Sequence, residues 1–142
     1  MEFCSQSLRS LLRDKVIVFE RQREDPMNVF EYFISCEIFK EILECVQFLH
    51  ESNPVVIHRD LKPDNILIDP NFRCNRFVKL CDLGLATDHN IDANTSSRYA
   101  HTACGTWRYM APEVYTGKYN HKSDIYSLCI IGEDLFDIDI QE

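Results

Sequence analysis

The segment at 58–65, His-Arg-Asp-Leu-Lys-Pro-Asp-Asn, brings together the groups that a phosphoryl transfer requires. Asp60 could accept the proton of an attacking hydroxyl group, because a carboxylate can act as a general base. Lys62 could balance charge on the moving phosphoryl group, and Asn65 offers an oxygen atom of the kind that Mg²⁺ prefers. The same residue types also occur in ordinary charged turns between strands, so this segment alone leaves both interpretations open.

Three further segments follow along the chain, and their order favours the phosphoryl-transfer interpretation over an ordinary turn. Asp-Leu-Gly stands at 82–84, Ala-Pro-Glu at 111–113 and Ser-Asp-Ile-Tyr-Ser-Leu at 123–128. With the first segment, they resemble the H-R-D-L-x-x-x-N, D-F-G and A-P-E motifs and the central large-lobe helix of the protein kinases. Leu83 stands where that family has Phe, which changes apolar packing and leaves Asp82 in place. The resemblance implies a transferase that uses ATP and Mg²⁺.

The resemblance also implies a role for each matching position. Asp60 would be the catalytic base, Lys62 would contact the transferred phosphate, and Thr106 would bridge these two residues near the substrate. Asp124 would tie the catalytic loop to the central helix. The same resemblance implies the contacts with the cofactors. Glu2 and Cys4 of the hinge would contact the adenine edge, and Leu67 would lie beneath the adenine ring. Lys62 would contact the phosphate, and Asn65 and Asp82 would hold the Mg²⁺ ions. The hinge assignment rests on four residues, and an ordinary frayed terminus is the alternative interpretation of them.

Two features refine the type of kinase. Lys62, with Gly-Thr at 105–106, is similar to the serine/threonine kinases rather than the tyrosine kinases. Segments 1–11, 101–106 and 119–128 are similar to the kinases of the alpha subunit of translation initiation factor 2, which would make that subunit the protein substrate. Other serine/threonine groups could share these residues, so the subfamily is left open.

The extent of the resemblance predicts a partial domain. No G-x-G-x-x-G or V-A-I-K motif precedes the catalytic loop, although those parts cover and clamp the ATP phosphates. We therefore expect residues 1–142 to run from the hinge to the central helix, without the small lobe and the final helices. The expected fold class is α+β, mainly α, a large lobe only with short β-hairpin strands around the catalytic loop. Such a segment should be inactive by itself, and a catalytically inert kinase-like interaction module is the alternative function.

Periodicity predicts the elements that position these residues. Helices are expected at 5–13, 28–50 and 121–138, strands at 55–57, 66–68 and 77–81, and a surface loop at 20–26. The polar stretch at 82–119 is too long for a simple connection and would contain the activation loop. The apolar faces expected in the core are Phe30, Ile34, Ile38, Phe39, Ile42, Leu43, Val46 and Leu49 of the long helix, and Ile125, Leu128, Cys129, Ile131 and Leu135 of the last helix.

Composition limits the partners and the compartment. The sequence has 15 Lys and Arg residues and 23 Asp and Glu residues, which gives a net charge of -8. This negative charge disfavours nucleic-acid binding by this segment. No run of apolar residues is long enough to span a membrane. The sequence has seven cysteines, an odd number, and no two of them have C-x-x-C spacing. This pattern favours reduced thiols and a cytoplasmic location.

Overall fold

The computed structural model describes residues 6–22, 25–69, 76–83, 87–88, 107–116 and 120–138. In chain order, the elements are β1 (Gln6–Ser7), α1 (Leu8–Val18), α2 (Val29–Glu51), β2 (Val56–Ile57), a 3-10 turn (Pro63–Asn65), β3 (Ile66–Ile68), β4 (Val78–Leu80), β5 (Thr87–Asp88), two further 3-10 turns (Trp107–Tyr109 and Pro112–Thr116) and α3 (His121–Phe136). The predicted mainly helical fold with short strands is confirmed. In the part of the chain described, no helix is long and apolar enough to cross a membrane.

In the part of the chain that the structure describes, the strands form two small antiparallel sheets. One has the order β1-β3-β4, and the other pairs β2 with β5. The sequence predicted β2, β3 and β4, but it did not predict the two-residue strands β1 and β5. The hairpin of β3 and β4 pairs Ile66 with Leu80, so the residues just before β3 and just after β4 meet at one end of the sheet.

Side-chain caps fix the starts of the three α-helices in the described residues. Ser7 accepts a hydrogen bond from the backbone N–H of Ser10 (3.3 Å), and Asn28 accepts one from Glu31 (2.9 Å). Asn120 caps α3 in the same manner. Such caps satisfy backbone donors that a helix leaves without partners in its first turn. The helix predicted at 5–13 therefore begins later, after β1, and it continues to Val18. In this extension Lys15 donates a hydrogen bond to the carbonyl oxygen of Leu135 in α3.

The core lies where α2 and α3 pack together and against the β3–β4 hairpin. Both helices contribute a narrow buried stripe to it, and Phe39 meets Phe136 edge to face with ring centroids 5.8 Å apart. Gly132 permits this approach, since a Cβ atom there would lie 3.3 Å from the Phe39 ring. The buried helical residues in this cluster are Leu8, Ile38, Ile42, Val46, Leu128, Ile130, Ile131 and Leu135.

The buried stripes are narrower than the sequence predicted, and five expected core residues are exposed. Phe30 is 78% exposed, and Ile34 and Leu43 are each more than two-fifths exposed. On α3, Ile125 is 51% exposed and Cys129 is exposed as well. Their placement in the core was wrong because the helices contact neighbours along one side only. The described elements cover the side of α2 that carries Ile38 and Ile42 and leave the rest to solvent.

A buried ionic network joins the three helices at the end opposite the catalytic loop. Lys15 lies 2.9 Å from Asp137 and donates a hydrogen bond to the carbonyl oxygen of Leu135 (3.0 Å). Arg21 donates two hydrogen bonds of 2.6 Å to Glu31 and also pairs with Asp137. Hydrogen bonding to Glu31 raises the pKa of the Arg21 guanidinium. The network therefore holds fixed charges where α1, α2 and α3 meet.

Tyr109 makes the stability of the fold depend on pH in the alkaline range. Its hydroxyl donates a 2.6 Å hydrogen bond to Asp134, and burial together with this bond raises the pKa of Tyr109 to about 12. An unfolded tyrosine ionises near pH 10, so the folded state holds its proton more tightly. The stabilisation is therefore complete below about pH 10 and is lost as the pH rises towards 12.

We expect Tyr109→Phe to lower the free energy of unfolding by about 1.5–3 kcal/mol near neutral pH, the usual contribution of a hydrogen bond to a charged group. The difference between the two proteins should stay constant from neutral pH to about pH 9 and should shrink above pH 10. Urea denaturation across this range measures it. An equal difference at neutral pH and at about pH 11.5 would contradict the assignment.

Candidate active site

The loop at 58–65 is held by the first turn of α3. The backbone N–H groups of His58 and Arg59 each donate a 3.0 Å hydrogen bond to Asp124, one to each carboxylate oxygen. Asp124 is 1% exposed, and His50 at the end of α2 contacts the same carboxylate at 2.8 Å. Arg59 has a φ of 69°, which a residue with a side chain adopts only at a cost in energy. Asp124 therefore fixes a strained backbone just before the candidate base.

Asp60, Lys62 and Asn65 form one hydrogen-bonded group. Lys62 Nζ lies 2.7 Å from Asp60 Oδ2, and Asn65 Nδ2 donates to the same oxygen at 3.0 Å. Among the described residues, no hydrogen bond occupies Asp60 Oδ1. The Asp60 side chain is 12% exposed, so it is sheltered but can still be reached. The carboxylate is thus oriented through one oxygen while the other can receive a proton.

The amide of Asn65 is oriented by the same loop. Its Nδ2 also donates a 2.8 Å hydrogen bond to the backbone carbonyl of Asp60, so both amide hydrogens are directed to Asp60. The Oδ1 atom of Asn65 is then the part of the side chain that can act as a metal ligand. Its orientation follows from the hydrogen-bond pattern, since donors and the acceptor of an amide are assigned in this way.

The β3–β4 hairpin brings Asp82 towards Asn65. Cys81 donates a backbone hydrogen bond to the carbonyl of Asn65 (2.9 Å), and His58 Nε2 contacts the carbonyl of Cys81 at 3.1 Å. Asp82 follows with an exposed side chain and a φ of 58°. Both backbone polar groups of Cys81, the residue before Asp82, are therefore hydrogen-bonded to the catalytic loop.

The donor set of Asn65 and Asp82 fits Mg²⁺. An amide oxygen and an exposed carboxylate are hard oxygen ligands, and Mg²⁺ usually takes one or two protein oxygens and completes its shell with phosphate and water. Within the described residues, no group of three or more His, Cys, Asp or Glu forms a protein-only metal cage. The residues present thus match a metal shared with a phosphate ligand.

The remaining predicted site residues are placed in part. Leu67 lies in β3 between β1 and β4 and is half-buried. Glu2, Cys4 and Thr106 lie outside the described residues, as does most of the expected activation loop. The hinge contact, the adenine contact and the Thr106 bridge all stay predictions.

His50 is a site residue that sequence reasoning missed. A histidine in the last turn of a helix is explained locally by its favourable interaction with the helix dipole. Its contact with Asp124 joins positions 74 residues apart, and the edge-to-face approach of the His121 ring adds a second long-range contact. Local spacing carries no signal for such partners.

Comparison with known proteins places the chain in a family. The family model described as protein kinase domain matches residues 1–137. The chain belongs to the protein kinase family, and the resemblance stated from its motifs is confirmed. In structure, it is similar to a chain of the yeast RNA Pol II CTD kinase CTDK-1 complex, with a TM-score of 0.66 and 27% identity over 96% of this chain and 38% of that chain. A partial protein-kinase-like fold is thereby confirmed.

Individual relatives are diverse. The chain is 34% identical to the eIF-2-alpha kinase GCN2 of Schizosaccharomyces pombe over 92% of its length and 8% of that protein. It is 44% identical to the probable serine/threonine-protein kinase drkD of Dictyostelium discoideum over 59% of its length and 6% of that protein. The dual specificity protein kinase shkC of the same organism is 46% identical over 61% of this chain and 16% of that protein. The chain therefore spans only a small part of these relatives.

Proposed function

We propose that this chain carries the catalytic segment of a serine/threonine protein kinase, which transfers the γ-phosphate of ATP to a protein hydroxyl group. The observation that carries this proposal is the shared hydrogen bonding of Asp60 Oδ2, which leaves Oδ1 for the substrate. Positioning and electrostatic stabilisation are the protein's main contributions to such a transfer, and a carboxylate that orients the substrate hydroxyl can also accept its proton.

Each residue then has a separate task. Asp60 Oδ1 orients the substrate hydroxyl and receives its proton, while Lys62 adds positive charge beside the carboxylate and the transferred group. Asn65 and Asp82 would hold the metal ion, and bound Mg-ATP supplies the phosphoryl group. Asp124 acts by positioning, because it fixes the backbone that leads to Asp60.

We further propose the alpha subunit of translation initiation factor 2 as substrate and the cytoplasm as location. The similarity to the S. pombe eIF-2-alpha kinase over 92% of this chain supports the substrate. The free thiols of Cys36, Cys45, Cys81 and Cys129 are compatible with a reducing compartment. Because the sequence has no glycine-rich loop to cover the ATP phosphates, residues 1–142 alone should transfer little phosphate.

A chimera tests the proposed activity. Residues 1–142 replace the aligned segment of the S. pombe eIF-2-alpha kinase, so that the relative supplies the other parts of a kinase domain. We expect the chimera to transfer labelled phosphate from ATP to the initiation-factor subunit, with phosphoserine or phosphothreonine as product, and the isolated chain to be inactive.

The unaltered relative and a fluorescent ATP analogue serve as controls. A chimera that binds the analogue and transfers no phosphate to any protein would contradict kinase activity and favour the inert interaction module. Transfer to casein without transfer to the initiation-factor subunit would retain the kinase and reject the proposed substrate. Phosphotyrosine among the products would show that the specificity is broader than serine and threonine.

A further inference from the structure

The β3–β4 hairpin connects the proposed metal ligands to a segment at its opposite end. Asn65 directly precedes β3, and Asp82 follows soon after β4. At the other end, Val78 at the start of β4 pairs with Ile68 at the end of β3. The position at which β4 begins therefore bears on the position of Asp82.

The side chain of Glu41 in α2 holds the start of β4. Its Oε2 atom accepts hydrogen bonds from the backbone N–H groups of Phe77 (3.0 Å) and Val78 (2.9 Å). In the described sheet, β4 is an edge strand, and the outer side of an edge strand has no partner within the sheet. Glu41 supplies acceptors there from a helix instead of a strand.

Two further side chains of α2 contact the same part of β4. The Cys45 thiol lies 4.0 Å from the carbonyl oxygen of Val78. Glu44, one helical turn after Glu41, pairs with Arg76 at 3.1 Å, and both of these side chains are largely exposed. Glu41 thus differs from Glu44 in that it contacts the backbone of the hairpin.

The helix that carries Glu41 is fixed in the core. Ile42 and Val46 of α2 are 0% and 2% exposed, and Val78 of β4, which is 1% exposed, belongs to the same core. A strand of three residues at the edge of a small sheet has little stability of its own. The contact with Glu41 therefore transfers the fixed position of α2 to the backbone of β4.

The chain has little freedom between the start of β4 and Asp82. The backbone N–H of Cys81 donates a 2.9 Å hydrogen bond to the carbonyl of Asn65, and Asp82 itself has a φ of 58°. Because the intervening residues form an extended strand, a displacement of its start is carried along the strand towards Asp82.

We propose that Glu41 is a positioning residue for the proposed metal ligand Asp82, and that it acts through the backbone of β4. The proposal rests on the proposed kinase function and adds to it a residue that lies outside the loops of the site. A general contribution of Glu41 to stability is the alternative, and it would affect the whole chain instead of the hairpin.

Hydrogen–deuterium exchange of the full 142-residue chain tests the proposal without ATP or metal. Glu41→Leu removes the acceptor, whereas Glu41→Gln keeps one oxygen, which suffices because both hydrogen bonds end on a single atom. We expect Glu41→Leu to speed amide exchange at Phe77, Val78 and Cys81 by about tenfold, since a short element that loses its anchor opens as a unit. Glu41→Gln should restore most of the protection.

Glu44→Leu is the matched control, because Glu44 lies on the same helix and pairs with the exposed side chain of Arg76. It should leave exchange at Cys81 unchanged. Faster exchange confined to Phe77 and Val78, an equal rise throughout the chain, or an equal effect of Glu44→Leu would overturn the proposal.

Magnesium titration of the chimeric kinase gives the second readout. Changes to residues that orient metal ligands usually lower metal affinity, so Glu41→Leu should raise the Mg²⁺ concentration for half-maximal phosphotransfer by about fivefold. Glu41→Gln should reverse most of this shift. An unchanged Mg²⁺ dependence in an active Glu41→Leu chimera would overturn the proposal. The exchange measurement requires no activity, so its failure and the failure of phosphotransfer are distinguishable.

Discussion

Replacing Asp60 by Asn in the chimeric kinase is expected to lower the rate of phosphotransfer by about 10²–10⁴-fold, the range attributed to general acid–base catalysis. The amide has nearly the shape of the carboxylate, so the new side chain still fits beside Lys62 and Asn65. It cannot receive the proton of the substrate hydroxyl, and Oδ1 of Asp60 is the oxygen that the described hydrogen bonds leave for this purpose. The loss should appear in kcat, with the KM for ATP little changed.

Asp25→Asn is the matched control. Asp25 lies in an exposed turn where its carboxylate accepts a 2.8 Å hydrogen bond from Gln22, and an amide oxygen can accept the same bond. Initial rates of phosphate incorporation at saturating ATP measure both variants, and denaturation midpoints check that each is folded. A folded Asp60→Asn chimera with more than about a tenth of the unaltered rate would contradict the assignment of the base.

Local signals in the sequence predicted most of the secondary structure and the catalytic loop. The long helix predicted at 28–50 lies at Val29–Glu51, because Asn28 caps it and its apolar spacing persists over its length. The segment at 58–65 supplies three polar side chains only a few residues apart, so their hydrogen bonding follows from local geometry.

Contacts between distant segments could not be predicted in the same way. Periodicity identifies an apolar face, but whether Phe30 or Ile34 is buried depends on which element packs against it. The two-residue strands β1 and β5 exist because of their pairing partners and have no periodicity of their own. The position of the Arg9 side chain depends on Asp64 and Tyr109, which lie 55 and 100 residues away along the chain.

The residues proposed for the adenine edge and the substrate side have less support than the catalytic group of Asp60, Lys62 and Asn65. Glu2, Cys4 and Thr106 were assigned by resemblance alone and lie outside the described residues. The hinge-to-central-helix extent of residues 1–142 also stays a prediction. Activity of the chimera depends on all of these assignments together, whereas the Asp60 variant tests the assignment of the catalytic base alone.

Removal of the Asp124 carboxylate is expected to have the largest effect on stability. Asp124→Ala removes the carboxylate that accepts hydrogen bonds from the buried backbone N–H of His58 and the partly buried backbone N–H of Arg59, and it removes the contact with His50. An unsatisfied buried polar group costs about 1–3 kcal/mol, so the free energy of unfolding should fall by about 3–5 kcal/mol. Domains are commonly stable by only 5–15 kcal/mol, so this is a large fraction of the total.

Asp124→Asn separates the two backbone contacts. The carboxylate accepts the His58 and Arg59 hydrogen bonds on different oxygens, and an amide has only one oxygen, so one contact survives and the loss should be about 1–2 kcal/mol. Lys122→Ala, at an exposed position in the same helix, should change stability by less than about 0.5 kcal/mol. Urea denaturation measures the series. Equal losses for the Ala and Asn variants would show that the two N–H groups find other acceptors. The left-handed conformation of Arg59, and with it the placement of Asp60, would then depend on contacts other than Asp124.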